Sequence, residues 1–253
     1  MPRVLRYAAS ALFLLGVGGL TYYLVHPGGV AITAPQSSRA VGYEPLAGYG
    51  DSCELFYPLS FRDDFGSPPA GWIGVDRSKV SFAAGHLAIK PAAGESVVSL
   101  DPSIEYQRGF VCAKVQAAVQ GPAQAGTNGS EEGGGVAFWA ADPENYYAAI
   151  IYRDGGYGVF RKVNGIIAPL VPKRPSAAVK IGNDDVNVVQ VLYSEPRYTV
   201  LINGQPAASF DLPSGSKKGM IGLAAQSARD KASEWKFSGL VAGSDQPLRK
   251  GAQ

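Results

Sequence analysis

The sequence contains few of the residues that most enzymes use for chemistry. Its 253 residues include two histidines and two cysteines, and His86 is the only histidine beyond the N-terminal apolar region. Zinc is held by several histidine, cysteine or carboxylate ligands, so a zinc site is not expected. No G-x-S-x-G motif is present to supply a nucleophilic serine, and His86 is expected at the surface, at the start of a strand. We therefore assign no catalytic residue from the sequence.

The chain also lacks a strong charge of either sign. Its 23 Lys and Arg residues and 21 Asp and Glu residues give a formal net charge of +2, and the basic residues are scattered. Proteins that bind nucleic acid usually concentrate positive charge on one face or along one helix. Nucleic acid is therefore not expected as a partner.

No long amphipathic helix pattern is found between Cys53 and Val241. Short alternating stretches occur instead, among them "YYAAIIYR" and "YGVFRKV", with 32 glycines and 18 prolines spread through the chain. Asn164-Gly165 and Asn203-Gly204 lie between such stretches, and Asn-Gly is the strongest short signal for a two-residue hairpin turn. The pattern predicts an all-β fold of two packed antiparallel sheets, a jelly-roll sandwich.

The one long apolar run is at the N-terminus. Arg3 and Arg6 precede an uncharged run from Tyr7 to Val25, which as a hydrophobic helix would extend about 28 Å, close to the thickness of a bilayer core. Residues 1–34 are expected to be a membrane anchor, or a signal peptide cleaved near Ala34. Either alternative places the remaining chain outside the cytoplasm, as a membrane-anchored, periplasmic or secreted protein.

The sequence after this run divides into three parts. Residues 35–52 are rich in Pro, Gly and Ser and are expected to be a linker, residues 53–241 the sandwich domain, and residues 242–253 a flexible tail. Cys53 and Cys112 both follow the export segment, so an oxidising compartment would allow them to pair. A disulfide closing this loop of about sixty residues would contribute roughly 4 kcal/mol. Two buried free thiols are the alternative.

The order of the stretches resembles a known superfamily. "FRDDFGSPPAGW", "GGGVAFWAADPENYYAAIIYRDGGYGVFRKVNG", "VNVVQVLYSEPRYTVLINGQPAASFDL" and "WKFSGLVA" are similar to the concanavalin A-like lectin/glucanase superfamily. Its laminin-G-like members and the 3-keto-disaccharide hydrolase-like domain, related to glycoside hydrolase family 16, are the most similar groups. The resemblance covers about residues 61 to 241. It implies a twisted two-sheet jelly roll whose concave face can hold a polysaccharide.

The catalytic pattern of the glucanases in this superfamily is missing. Retaining members carry two carboxylates on one strand, as E-x-D-x-x-E or E-x-D-x-E, and neither occurs here. The adjacent pairs Asp63-Asp64, Glu131-Glu132 and Asp184-Asp185 would point to opposite faces of a strand, and we expect them in turns, caps or at the surface. The absence of this carboxylate pattern favours binding without turnover.

Calcium is the one metal that the resemblance suggests. Laminin-G-like and lectin relatives often bind it at a sheet rim, where Asp142, Glu144 and Asn145 of "AADPENYY" would offer oxygen ligands. A β-turn with Pro143 at its second position explains the same residues. No cofactor is predicted, and calcium stays an alternative.

Aromatic and basic residues between 139 and 161 are the predicted ligand site. The apolar C–H faces of sugars stack on aromatic rings, and sugar hydroxyls bond to basic side chains. We expect one face of these strands to fill the core and the other to bind ligand. The alternative is that Trp139 and half of the tyrosines are core residues. The predicted ligand-binding residues are Trp139, Tyr147, Arg153, Tyr157 and Arg161.

The sequence therefore predicts an exported carbohydrate-binding, lectin-like module that does not turn its ligand over. A first alternative is a glycoside hydrolase acting on glycosides or 3-keto sugars, with scattered acids such as Glu105, Asp154 or Glu195 converging in the fold. A second is a structural or protein-interaction module of the cell envelope. Fold alone does not decide among the three.

Overall fold

Antiparallel strands account for all the regular structure that is described. The computed structural model describes residues 53, 59–67, 71–74, 76–83, 85–106, 109–118, 131–182, 184–194, 196–212 and 219–243. Within these residues it has strands and no helix, which confirms the all-β prediction. The strands are β1 (Leu59–Asp63), β2 (Val80–Ala83), β3 (His86–Ile89), β4 (Ser96–Tyr106), β5 (Gly109–Ala117), β6 (Gly133–Asp142), β7 (Asn145–Tyr152), β8 (Gly156–Val163), β9 (Ile166–Pro175), β10 (Asn187–Ser194), β11 (Arg197–Ile202), β12 (Gln205–Asp211), β13 (Gly219–Gln226) and β14 (Trp235–Gly243).

The strands form two sheets. The larger sheet has eight strands in the order β12-β11-β10-β5-β14-β3-β2, with β1 paired to β14. The smaller sheet has six strands in the order β4-β13-β6-β7-β8-β9. The sheets pack face to face, as in the predicted jelly-roll sandwich.

Both Asn-Gly dipeptides form the predicted hairpin turns. Asn164 and Gly165 join β8 to β9 with φ values of 49° and 81°, and Asn203 and Gly204 join β11 to β12 with 50° and 76°. Positive φ at both central residues is what a type I′ turn requires, and it matches the twist of the flanking strands.

The main core lies between the two sheets. Along β7, Tyr147, Ala149 and Ile151 point into it. The alternate residues Tyr146, Ala148 and Ile150 point to the outer face of the smaller sheet, where they form a second buried cluster with residues of β4, β6, β8 and β13. The smaller sheet is therefore apolar on both faces.

A disulfide joins Cys53 to Cys112, as predicted, with a Cα–Cα distance of 5.6 Å. It belongs to a small buried cluster with Phe110, Val188 and Val241. The disulfide therefore fixes the chain that precedes β1 to β5 in the middle of the larger sheet.

The chain enters and leaves the sandwich at one end, which we call the tether end. Leu59 pairs with Gly243 there, and Gly243 also pairs with Phe110 at the start of β5. Strand β4 ends at Tyr106 and β5 begins at Gly109, so the end of the smaller sheet that holds Tyr106 lies on the same side. That end also holds the β8–β9 turn, as the pairs Tyr106–Gly219, Asp142–Asn145 and Val163–Ile166 establish.

The N-terminal helix and linker predicted for residues 1–34 and 35–52 lie outside the described residues, as does the chain after Gly243. Strand β14 extends to Gly243, so the last strand includes the first residues that we assigned to the tail. No helix in the described part of the chain is long and apolar enough to cross a membrane.

Candidate functional site

A groove of about 440 Å³ lies on the outer face of the smaller sheet. It runs across the sheet from β4 and β13 to β9 and is bordered by the aromatic residues Tyr152 and Phe160. Its walls carry polar and charged side chains from several strands and loops. These are Ser96, Glu131, Lys173, Gln226 and Arg229.

Strand register explains why the polar side chains converge. Gln226 of β13 pairs with Ser96 on one side and with Gly133 on the other, and Gly133 pairs with Tyr152. Directly paired residues of neighbouring strands point to the same face, so these four form one row across the sheet. The row lies at the end of the smaller sheet opposite the tether end.

Small residues recur on the outer face beside the polar row, where the strands pack closely. A Cβ on Gly135 would clash with the Ala149 carbonyl oxygen, and one on Gly222 would clash with the Ser99 carbonyl oxygen. Ile150 and Phe160 are buried beside them, and of the small residues Gly158 lines the groove. The small outward-facing residues are Gly135, Ala137, Ala148, Gly158, Gly222 and Ala224.

Tyr152 is at the centre of a network at the polar end. The Lys173 ammonium lies 4.5 Å from the centre of its ring and also pairs with the carboxylate of Asp154. Burial, together with the nearby carboxylates of Asp154 and Glu131, raises the pKa of Tyr152 to about 12, while a hydrogen bond with Gln226 acts in the opposite direction. The phenol is therefore neutral at physiological pH and can both donate and accept a hydrogen bond.

The remaining groove charges are also paired. Arg229 Nε lies 3.5 Å from Glu131 Oε2, and Gln226 Nε2 donates a hydrogen bond to the Glu131 backbone carbonyl at 2.8 Å. Lys173 pairs with Asp154. The charges of the two pairs, Arg229 with Glu131 and Lys173 with Asp154, therefore sum to zero. A ligand with hydroxyl groups can bond to such a site without needing to supply a charge.

Three of the predicted ligand residues lie on the core face of their strands and not on the exposed face where we expected them. Trp139, Tyr147 and Tyr157 point into the core between the sheets, and Trp139 and Tyr157 are only 7% and 4% exposed. The Tyr157 hydroxyl donates to the backbone carbonyl of Ala207 in the larger sheet. The expectation that these rings form an exposed platform is therefore wrong.

A β-bulge places Trp139 inward. Its φ is 49°, and the register of β6 shifts between Phe138 and Asp142, so the neighbours Phe138 and Trp139 both enter the core. The Trp139 ring packs edge-on against Tyr198 with 4.7 Å between centroids. Strict alternation along β6 therefore fails at this position.

The two predicted arginines lie apart from the groove lining. Arg153 Nη1 is 3.8 Å from Glu132 Oε2 and donates to the Ala118 carbonyl at 3.3 Å. Arg161 is exposed and pairs across the strands with Tyr147 and Ala168. The five predicted residues thus do not share one exposed surface, and ligand binding by any of them stays a prediction.

Sequence reasoning missed Tyr152, Phe160 and Gln226 as candidate site residues. Alternation along β7 places Tyr152 on the face opposite Tyr147, and the choice of Tyr147 as a ligand residue assigned that opposite face to the core. Tyr152 ends its alternating stretch and is followed by the polar Arg153-Asp154, which was the available signal that it lies at the edge of the apolar face. Gln226 closes the stretch "GMIGLAAQ" as its one strongly polar residue.

The acidic residues considered in the sequence lie in different environments. Glu131 borders the groove, whereas Glu132 is buried near Arg153 and Lys231, so the expectation of two solvated charges is wrong for Glu132. Asp154 pairs with Lys173. Glu195, and the side chain of Glu105, lie outside what the structure describes.

The residues considered for calcium form a turn. Asp142 Oδ1 accepts hydrogen bonds from the Glu144 backbone N–H at 2.7 Å and from Asn145 Nδ2 at 2.9 Å. Among the described residues, no group of three or more His, Cys, Asp or Glu side chains is placed to hold a metal ion. The local hydrogen bonds account for this acidic turn without a cation.

Solved structures with the same fold include a carbohydrate-binding module, a glucanase and a carbohydrate recognition domain. The carbohydrate-binding module CBM66 from Bacillus subtilis aligns with a TM-score of 0.54 and 13% identity, covering 69% of this chain and 96% of that one. The catalytic domain of an endo-1,3-β-glucanase (laminarinase) from Thermotoga petrophila RKU-1 aligns at 0.51 and 10%, covering 75% and 99%. The carbohydrate recognition domain of Emp47p aligns at 0.50 and 13%, covering 74% and 96%.

No protein-family model matches the sequence, and no curated protein matches it. The structural similarities, at identities of this size, concern the fold. Together with the two-sheet topology and the groove on the smaller sheet, they confirm the resemblance found in the sequence: this chain has the concanavalin A-like jelly-roll fold.

Proposed function

We propose that the protein is a carbohydrate-binding module that holds an uncharged stretch of polysaccharide in the groove of the smaller sheet. The observation that carries this proposal is the row of Ser96, Gln226 and Tyr152 along one end of a groove of about 440 Å³. A sugar ring stacks on the half-buried Tyr152 through its apolar face, and its hydroxyls bond to the polar row.

The charge pairing supports a neutral ligand over an acidic one. A glycan carboxylate or sulfate would have to compete with Asp154 for Lys173 and with Glu131 for Arg229. Neutral hydroxyl groups can accept from the same cations while both pairs stay intact. The similarity to a carbohydrate-binding module and a carbohydrate recognition domain agrees with this class of ligand.

Hydrolysis is the second candidate, since glucanases share the fold. Glycoside hydrolysis by the common mechanisms uses two carboxyl groups that flank the scissile bond. Among the described residues that line the groove, Glu131 is the one carboxylate, and it is paired with Arg229. This arrangement favours binding without turnover.

The module is also proposed to be exported and tethered by its N-terminal apolar run. Arg3 and Arg6 precede the run and would keep that end in the cytoplasm, which places the sandwich on the other side. A reporter that is active only outside the cytoplasm, fused after Ala34, should be active. An inactive fusion would refute the topology without affecting the proposed groove.

A glycan array probed with the purified protein tests the binding proposal. Neutral polysaccharides should bind, and Tyr152→Ala should weaken binding about tenfold, as expected for the loss of one stacked ring and its hydrogen bond. Phe82→Ala is the matched control, because Phe82 is a half-buried aromatic on the larger sheet. The same sugars should release no reducing ends. Equal binding by both variants would refute the groove, and sugar release would favour the hydrolase.

A further inference from the structure

The tip of the β8–β9 hairpin carries an unusual concentration of exposed aliphatic side chains. Ile166 is 74% exposed, Ile167 46% and Val163 42%, and they are three of the four large hydrophobic residues exposed among the described residues. Isolated exposed hydrophobic residues are ordinary, but a cluster on a projecting element commonly marks a contact with a partner or a membrane.

The turn itself does not need these side chains. Asn164 and Gly165 supply its geometry, the Asn164 N–H donates to Asn145 Oδ1 at 3.0 Å, and the Gly165 N–H donates to the Glu144 carbonyl at 3.3 Å. The hairpin is held to the neighbouring turn by its backbone, while its aliphatic side chains project into solvent. A polar residue at position 166 would preserve every one of these bonds.

The position of the hairpin indicates which surface it meets. It lies at the tether end, where Leu59 pairs with Gly243 and the chain arriving from the N-terminus joins the sandwich. If the run from Tyr7 to Val25 crosses a bilayer, the chain that follows it enters the sandwich at this end, where β1 begins at Leu59. The polar row of the groove lies at the opposite end of the smaller sheet.

We propose that the β8–β9 hairpin tip inserts Ile166 and Val163 into the interfacial layer of the lipid bilayer that anchors the chain. This inference rests on the tethering proposed above. The contact orients the sandwich so that the polar end of the groove faces away from the membrane, towards polysaccharide outside the cell. Amphipathic helices bind bilayers by burying their apolar side chains at the headgroup boundary, and the hairpin tip would bury Ile166 and Val163 in the same layer.

The charges around the tip indicate that the contact is apolar. Arg161 and Lys162 lie on one strand of the hairpin, and Asp142 and Glu144 lie in the adjacent turn, with Lys162 Nζ 3.0 Å from Glu144 Oε2. Two positive and two negative groups balance each other. The insertion should therefore occur in vesicles of zwitterionic phosphatidylcholine and should persist at high salt.

The two Asn-Gly hairpins provide a matched experiment. Ile166→Cys and Gln205→Cys each place a thiol directly after an Asn-Gly turn, at an exposed position, and the β11–β12 turn lies at the end of the sandwich away from the tether end. Each full-length variant, with its native disulfide intact, is labelled with an environment-sensitive fluorophore and reconstituted into phosphatidylcholine vesicles. Ile167 is left unchanged because it also borders the groove.

The label at position 166 should shift to shorter wavelength and be quenched by spin-labelled lipid, whereas the label at 205 should behave as it does in water. If the chain floats with the vesicles but neither label responds, the hairpin contact is wrong and the tether stands. If the chain does not float with them at all, both proposals fail. A blue shift at 166 that appears without lipid and grows with protein concentration would show a contact between copies, which also overturns the proposal.

Discussion

The two faces of the smaller sheet use aromatic residues in different ways. On the inner face, Phe138, Trp139 and Tyr147 pack with Tyr193 and Tyr198 of the larger sheet, with ring centroids 4.7 to 6.5 Å apart. On the outer face, Phe160 packs in the second buried cluster, while the half-buried Tyr152 borders an open groove at the polar end. The same strands supply both sets, so both faces contribute buried contacts, and the polar end of the outer face carries the groove.

The largest effect is expected on the inner face. Trp139→Ala removes a ring that is almost completely buried among other rings, and such truncations typically cost about 3–5 kcal/mol of unfolding free energy. Chemical denaturation measures the loss. A variant with near-normal stability that no longer binds sugar would instead make Trp139 a ligand residue and would break the comparison.

A smaller, pH-dependent effect is expected on the outer face. The pKa of Tyr152 is raised to about 12 in the folded protein, above its ordinary value of 10.0, so its contribution to stability is present below about pH 10 and is lost as the pH rises through 12. Tyr152→Phe removes this dependence, worth up to about 2 kcal/mol. Urea unfolding of both proteins at about pH 9 and pH 11.5 should show a smaller decline in the variant, and parallel declines would contradict the assigned burial.

The smallest effect is expected from removing one oxygen atom on the inner face, the hydroxyl of Tyr157. Tyr157→Phe keeps the inner-face ring and removes the hydroxyl that bonds to the Ala207 carbonyl, which should cost about 1 kcal/mol. Sugar binding should stay unchanged, because Tyr157 faces the core. Weaker binding at unchanged stability would assign the residue to the ligand site after all.

Local chemistry explains which parts of the fold could be predicted. The Asn-Gly turns are set by backbone preference at two adjacent residues, and the disulfide depends on the only two cysteines. Strand β4 does not stand out in the sequence as an alternating stretch because Asp101-Pro102 interrupts "SVVSLDPSIEY". Proline is tolerated there because β4 is an edge strand, where its missing N–H breaks no ladder bond inside the sheet.

The exposed face could not be predicted for a different reason. Alternation assigns residues to two sets, and polarity normally indicates which set faces water. Along β7 both sets are apolar, Tyr146 and Ile150 outward and Ala149 and Ile151 inward, so polarity gives no answer. In β6 the bulge at Trp139 also breaks the alternation. The choice depends on packing between distant strands, which only the assembled sandwich provides.

The most direct test of the central claim is an NMR titration of the isotope-labelled protein with a neutral oligosaccharide selected on the array. The account predicts that the largest shift changes occur along the polar row, at the backbone amides of Ser96 and Tyr152 and the side-chain amide of Gln226. Resonances on the larger sheet, such as Gln205 in the β11–β12 hairpin, should not move. Shift changes concentrated on the larger sheet, with the polar row unaffected by saturating sugar, would contradict the account.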